Sequence, residues 1–482
     1  MFSVFGSGRT QTCAGPSRRE LLRVGSLATL GGLSLPGLLA TKAQAANNTA
    51  AFRDKAVVML FLVGGPPQIE TFDPKENVPD NIRSCTGEVQ TALPGVKFGG
   101  TFSKMGAIAD RLAVVRSFAS TDGGHNQLPV ITGRSPMKSP MAAIVARALG
   151  AMNPKTGVPT NTVIVPEAIK PDLKLNNPTG PFTYDYVVKN YLPAGGVGRA
   201  YDAFMPSGSD SLLKNLQLQM AQADFDDRRS LLGKLDGFQR TLDKTGEAAG
   251  VDAFQRQAAD VLMKGIADAF DFSKEAPKTV AKYDTGHLFD MADYHKGGKN
   301  YDNKVNQSRA TNLLGKQMLL ARRLVERGAG FVTVLDGCWD FHADGNNPSC
   351  PVGMSFLGPQ LDHAVAAFLD DLKDRGLEDK VLLVITGEMG RSPSKGKNGG
   401  TGHHGDLTPL VLAGGGLKMG QVIGKSDKTG SKPVTKAYKP EHLLATVLHT
   451  MFDASAVRTN PALLPAEVAN LINTGQPISE LF

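Results

Sequence analysis

Six runs of the chain are apolar without alternation: Ala56–Val63, Leu112–Arg116, Asn161–Val165, Gly330–Leu335, Lys380–Thr386 and Thr408–Ala413. Continuous Val/Leu/Ile runs of this length predict strands covered on both faces, since a strand with one wet face would alternate. Helical periodicity fills several of the gaps, over Phe102–Asp110, Met141–Leu149, Gln360–Arg375 and Glu441–Phe452. Strands alternating with helices predict an α/β fold, a mainly parallel sheet sandwiched by helices. The stretch from about Ser207 to Arg327 breaks the alternation. It has no convincing strand, and Asp210–Lys244 and Asp252–Phe270 carry the helical period. A helical insertion at about 207–327 is expected, beside the sheet or capping its ligand edge, with an exposed loop over Asp284–Gln307.

The first 45 residues change the picture of what is folded. Ser17-Arg18-Arg19-Glu20-Leu21-Leu22-Arg23 is a twin-arginine pattern, followed by a moderately apolar stretch from Val24 to Leu39 and a small-residue cleavage site at Ala43-Gln44-Ala45. These three parts predict an export signal read by the twin-arginine machinery and cleaved near Ala45, giving a periplasmic or secreted protein. Gly31, Gly32 and Pro36 interrupt the apolar stretch, so no stable transmembrane anchor is expected. Such signals carry proteins that fold, often with a cofactor loaded, before export. Residues 46–482 then form the mature α/β domain.

Removal of the signal also changes the charge. Arg9, Arg18, Arg19, Arg23 and Lys42 against Glu20 make +4, so the formal +7 of the whole chain falls to +3. With no long basic run, nucleic-acid binding is excluded as an expectation. Cys13 leaves with the signal; Cys85, Cys338 and Cys350 remain, an odd number without metal-type spacing. A disulfide framework is not expected, and a single Cys338–Cys350 bridge is open in an oxidising compartment.

Candidate chemistry gathers where the apolar runs end. Asp336-Gly-Cys-Trp-Asp-Phe-His342 follows one of them, and Asp340 and His342 are two apart. An extended segment or turn can direct both at one point. Carboxylate plus imidazole suits zinc, manganese or iron, although Asp-x-His also occurs as an ordinary hydrogen-bonded turn. Gly64-Gly65 with Glu70 and Asp73 follow the first run. His125 and Asn126 lie in Asp122–Arg134, where a helix N-terminus would present amides to an anion. Glu388 and Arg391 follow Lys380–Thr386, and the guanidinium could hold an oxyanion bidentately. His403 and His404 precede Thr408–Ala413 in a Gly-rich loop. His442 and His449 sit on an apolar helical pattern and are expected to be structural.

Taken in order, the twin-arginine start, Leu62–Lys75, Val130-Ile-Thr-Gly-Arg134, Leu320–Asp344, Thr386-Gly-Glu-Met-Gly-Arg391 and Leu412-Ala-Gly-Gly-Gly416 resemble the exported bacterial "domain of unknown function 1501" family. That family is similar in fold to the alkaline phosphatase and sulfatase superfamily, so the resemblance implies an alkaline phosphatase-like core across the mature chain. It implies metal binding by Asp340, His342 and His403 or His404, with zinc, manganese or calcium as the divalent ion. Val130–Arg134 resembles the stretch that ends the sulfatase nucleophile helix. Departures accompany it. Gly64-Gly65 stand where an early ligand Asp is expected, Met389 where a His is, and no Cys-x-Pro-x-Arg occurs; Thr121 is the nearest hydroxyl.

The residues and the resemblance lead to a metal-dependent sulfate- or phosphate-ester hydrolase, acting on a small molecule or a polysaccharide. In it Asp340, His342, His403 and His404 supply the metal set, Glu388 is a ligand or base, and His125 with Arg391 contacts the oxyanion. The alternative is a catalytically inactive module that binds a glycan or a partner protein in the same cleft. A third is a structural component of the cell envelope.

Overall fold

The computed structural model describes residues 49–170, 189–206, 266–291, 293, 310–345 and 347–482. The export signal, and within the expected insertion Asp210–Lys244 and most of Asp252–Phe270, lie outside the described residues. Seven strands form the main sheet: β1 (Ala56–Leu62), β2 (Leu112–Val115), β3 (Asn161–Ile164), β4 (Phe331–Asp336), β5 (Val381–Thr386), β6 (Leu410–Gly414) and β7 (Gln421–Ile423). Their order is β7-β2-β6-β5-β1-β4-β3. All neighbours pair in parallel except at β6, which runs antiparallel to both β5 and β2. The six apolar runs are the first six strands to within two residues. The short β7 follows a Gly-rich turn and has a half-buried pattern, which is why periodicity does not find it.

Alternate residues of one strand enter two different cores. Val58, Leu60 and Leu62 of β1 join the first, together with α2 (Leu314–Glu326) and α3 (Cys350–Asp374). Val57, Met59 and Phe61 join the second, with α1 (Met141–Leu149), α4 (Pro440–Met451) and α5 (Ala466–Thr474). Successive side chains of a strand point to opposite faces. With helices on both faces every position is dry, and the sequence shows a run instead of an alternation.

Helix α3 starts ten residues before the expected Gln360, and Pro359 lies inside it. Proline removes a hydrogen bond to the carbonyl four residues back. Here that carbonyl belongs to Ser355, which is exposed, so water can satisfy it. Of the expected insertion, the described parts include the helices Ala267–Phe270, Pro277–Lys282 and α2, whereas 283–290 is irregular, and there the expectation of an exposed loop fails at Thr285 and Phe289, which are buried. Among the described residues no helix is long and apolar enough to cross a membrane.

Register brings the functional loops to one edge. Leu62 lies opposite Asp336 and Phe61 opposite Thr386, so β1, β4 and β5 end side by side. Antiparallel β6 pairs Leu410 with Thr386 and therefore starts at that same edge. The carboxyl edge of an open α/β sheet is where such folds bind ligands.

Candidate metal centre

The segment after β4 is built by alternation. Trp339 and Phe341 are fully buried. Trp339 Nε1 donates to Asp336 Oδ2 at 2.8 Å, and Phe341 fills the space over Gly353 of α3, where a Cβ would lie 2.1 Å from the ring. Cys338 (φ 72°) and Ala343 (φ 55°) adopt left-handed backbone on either side of the 339–342 stretch. Non-glycine residues hold that conformation only where surrounding contacts impose it. With two aromatic residues pinned inward, Asp340 and His342 are left to face the sheet edge.

There they meet residues from two other loops. His342 Nε2 is 3.0 Å and His403 Nε2 3.8 Å from Asp340 Oδ1, and His125 Nε2 is 3.5 Å from Asp340 Oδ2. The Nε2 atoms of His342 and His403 are 2.8 Å apart. One ligand atom from each of His125, Asp340, His342 and His403 lies within 4.8 Å of the others, a partly buried group around the buried Asp340 that could hold a metal ion. Three imidazoles and one carboxylate are a donor set that zinc accepts.

His403 and His404 part company for a reason written in the backbone. Gly390–Arg391 pairs antiparallel with His403–His404, Arg391 facing His403 and Gly390 facing His404. Directly opposed residues share a face and neighbours do not. Arg391 and His403 therefore point into the cluster, whereas His404 turns out and its Nε2 meets the carbonyl of Ser431. The structure does not bring His404 to the other three.

Arg391 lies deeper than an oxyanion contact requires: its side chain is 1% exposed and its guanidinium bonds Asp340 Oδ1. It also donates to the carbonyls of Gly64, Gly65 (3.0 Å) and Thr401 (3.3 Å), and Nη1 is 3.3 Å from His342 Nε2. Gly64 (φ 119°) and Gly65 (φ 94°) make this possible. A Cβ on Gly64 would fall 2.7 Å from the amide nitrogen of Asp340, and one on Gly65 would fall 2.9 Å from Met389. Where the resemblance leads one to expect a ligand carboxylate, two glycines thus let backbone carbonyls reach the arginine. Gln68, which has no signal in the sequence, fixes that arginine's backbone. Its amide accepts from Arg391 N at 2.9 Å and donates to Arg391 O at 2.8 Å.

Glu388 stands behind His125. Oε1 is 3.2 Å from His125 Nδ1 and accepts from the amide of Gly64 at 2.9 Å. Glu388 Oε2 is buried with no hydrogen-bond partner among the described residues, and the buried Asp340 Oδ2 has His125 Nε2 beside it at 3.5 Å. Burial lowers the proton affinity of His125, but hydrogen bonds with Asp340 and Glu388 more than reverse this and raise its pKa from 6.5 to about 9. Burial likewise opposes ionisation of Asp340. Hydrogen bonds from His125, His342 and His403 and the charge of Arg391 prevail, holding its carboxyl well below the usual carboxylate range. Burial pushes the pKa of Asp336 up to about 7, against the opposing hydrogen bond from Trp339.

Other candidates belong to the framework. Asp73 pairs with Lys75 at 2.8 Å and Arg116 at 3.3 Å. Asn126 donates to Asp122, and Thr121, with φ 62°, is exposed and accepts from Arg134. The helix beside His125 is a single turn, Leu128–Ile131. His442 Nδ1 accepts from Lys439 N, and His449 Nε2 meets Ile472 O at 3.0 Å, so both have local backbone partners. No disulfide joins Cys338 to Cys350; both are thiols, as is Cys85.

Residues 54–481 match the family described as protein of unknown function (DUF1501), and the chain belongs to that family. No curated protein matches it. Among solved structures it is similar to the phosphonate monoester hydrolase SpPMH of Silicibacter pomeroyi, at 11% identity over 88% of this chain and 76% of that one, TM-score 0.30. It is also similar to the PsFucS1 sulfatase of Pseudoalteromonas sp., at 13% identity over 96% and 77%, TM-score 0.29. A third is Ps i-CgsB with a bound neocarrahexaose, at 7% identity over 83% and 72%, TM-score 0.35. Similarity this distant says nothing about the reaction.

Proposed function

We propose that this member of the DUF1501 family is an exported, metal-dependent hydrolase of sulfate or phosphate esters. The observation that carries the proposal is the convergence of three imidazoles on one buried carboxylate, Asp340, at the ligand edge of the sheet. A resident ion fits two further features. Asp340 Oδ2 is buried, and its contact with His125 Nε2, at 3.5 Å, is long for a hydrogen bond, which leaves room for a stronger partner. Glu388 backs His125 through Nδ1, as carboxylates do for metal-ligating histidines.

His125, Asp340, His342 and His403 would hold the ion, which would polarise an ester oxygen and make water a better nucleophile. The rest is done by the chain itself. Glu388 takes the Nδ1–H of His125 and so leaves Nε2 facing the centre. Arg391 holds Asp340 Oδ1, leaving Oδ2 on the His125 side. Trp339 and Phe341 keep Asp340 and His342 in place. Export rests on the paired Arg18-Arg19 and the cleavage pattern before Ala45.

Metal analysis of the purified full chain tests the centre. About one zinc or manganese per chain is expected, falling severalfold in Asp340→Ala and His342→Ala. A substoichiometric content unchanged in both variants refutes it. Turnover of aryl sulfate and aryl phosphate esters tests the reaction separately. A second reading, a glycan-binding module without catalysis, draws on Arg391, whose charge already compensates Asp340. Saturable glycan binding with no turnover of either ester would favour it.

A further inference from the structure

A second group of reactive side chains lies outside this centre and plays no part in the proposed reaction. Cys85, Cys350 and Glu70 bring two thiol sulfurs and a carboxylate oxygen within 4.8 Å of one another. The set could be mistaken for a metal site, but Glu70 is already committed. Oε2 accepts from Ser84 Oγ at 2.7 Å and Cys85 N at 2.9 Å, and Oε1 from Cys85 N at 3.1 Å and Lys395 Nζ at 3.3 Å. An ion would have to strip those bonds and sit beside an ammonium. The two sulfurs, within 4.8 Å of each other, are left to each other. Cys85 is half-buried and can be reached from solvent, whereas Cys350 is fully buried.

We infer that Cys85 and Cys350 are a disulfide-forming pair, with Cys338 excluded. Cys350 is the first residue of α3 and lies eight residues beyond His342. Cys85 lies on the segment that Glu70 holds. A bond between them would anchor the far end of the loop that carries Asp340 and His342, whose near end is pinned by Trp339 and Phe341.

The oxidant is an external disulfide. The Cys85 thiolate attacks one of its sulfurs, forming a mixed disulfide and expelling one thiolate. The Cys350 thiol then loses its proton and attacks Cys85 Sγ, expelling the second thiolate. The two cysteines lose two electrons and two protons in all, and the external disulfide is reduced to two thiols. The slow step should be the second, because burial and the Glu70 carboxylate hold the proton on Cys350.

The test is non-reducing peptide mapping of the chain purified after export, from which Cys13 has left with the signal, treated with glutathione disulfide while folded and alkylated afterwards in denaturant. The expected result is a linked Cys85–Cys350 peptide pair and an intact mass lower by two hydrogens, with Cys338 alkylated. Cys350→Ser should stop at the first step and carry one glutathione on Cys85; Cys85→Ser should yield no linked peptide. A Cys338–Cys350 pair, or full alkylation of both Cys85 and Cys350 in the treated wild type, would overturn the inference. Neither result bears on the metal centre, so the two proposals fail independently.

Discussion

With chelator present and no ion bound, His125 should be protonated at neutral pH and should stabilise the fold through that charge. Its pKa rises from 6.5 to about 9 between Asp340 and Glu388, and its side chain is 15% exposed, so solvent screens the contacts little. The displacement corresponds to about 3 kcal/mol, at about 1.4 kcal/mol per tenfold change in proton affinity. The sign follows from linkage. The folded state binds the proton more tightly, so the contribution is fully present below 6.5 and disappears as pH rises through about 9. The depressed carboxyl of Asp340 is the same interaction seen from its other partner and is not added. The assay is urea unfolding of wild type and His125→Gln with chelator, from about pH 7 to about pH 10. Other groups titrate in both proteins and cancel in the difference. The wild-type advantage should shrink by about 2–3 kcal/mol across that range. A difference that stays constant to a few tenths of a kcal/mol would refute the charged imidazole.

Two further outcomes come from the same loops. Arg391→Met strands the buried Asp340 carboxylate and should cost about 3–5 kcal/mol in urea unfolding with chelator. Added zinc should recover part of that loss, since an ion bound only by the folded chain stabilises it; an unchanged midpoint with chelator would contradict the buried pair. Asp336, whose pKa is raised from 3.8 to about 7, penalises folding above about 7 and releases the penalty as pH falls through that value. Asp336→Asn should therefore be more stable than wild type by up to about 4 kcal/mol above pH 8, with the advantage gone near pH 4, measured by the same unfolding curves.

Much of the frame is legible in the chain because burial on both faces leaves a local trace. A strand such as β1 can hold no polar residue on either side, so Val57 to Leu62 reads as an unbroken apolar run. Asp340 and His342 stand out for a related reason: the aromatic residues that alternate with them announce which side is buried. His403 and His404 are indistinguishable in the sequence and are told apart only by their pairing with Gly390–Arg391, since alternation has no phase until a partner strand supplies it.

Local order along the chain thus carries the six apolar strands, most of the helices, the loops at their ends and the chemical types those loops hold, but not the short half-buried β7. Three-dimensional packing is what runs β6 against its neighbours, stands Glu388 behind His125 and puts Arg391 inside the cluster on Asp340. Cys85, not Cys338, is likewise placed beside Cys350 only by the fold. The physical reason is range. Burial imposes a pattern on adjacent residues, which can be read in order. Contacts between Gly64 and Glu388, or Arg391 and Gln68, join positions more than 300 apart. They depend on strand order and register, which no local pattern encodes.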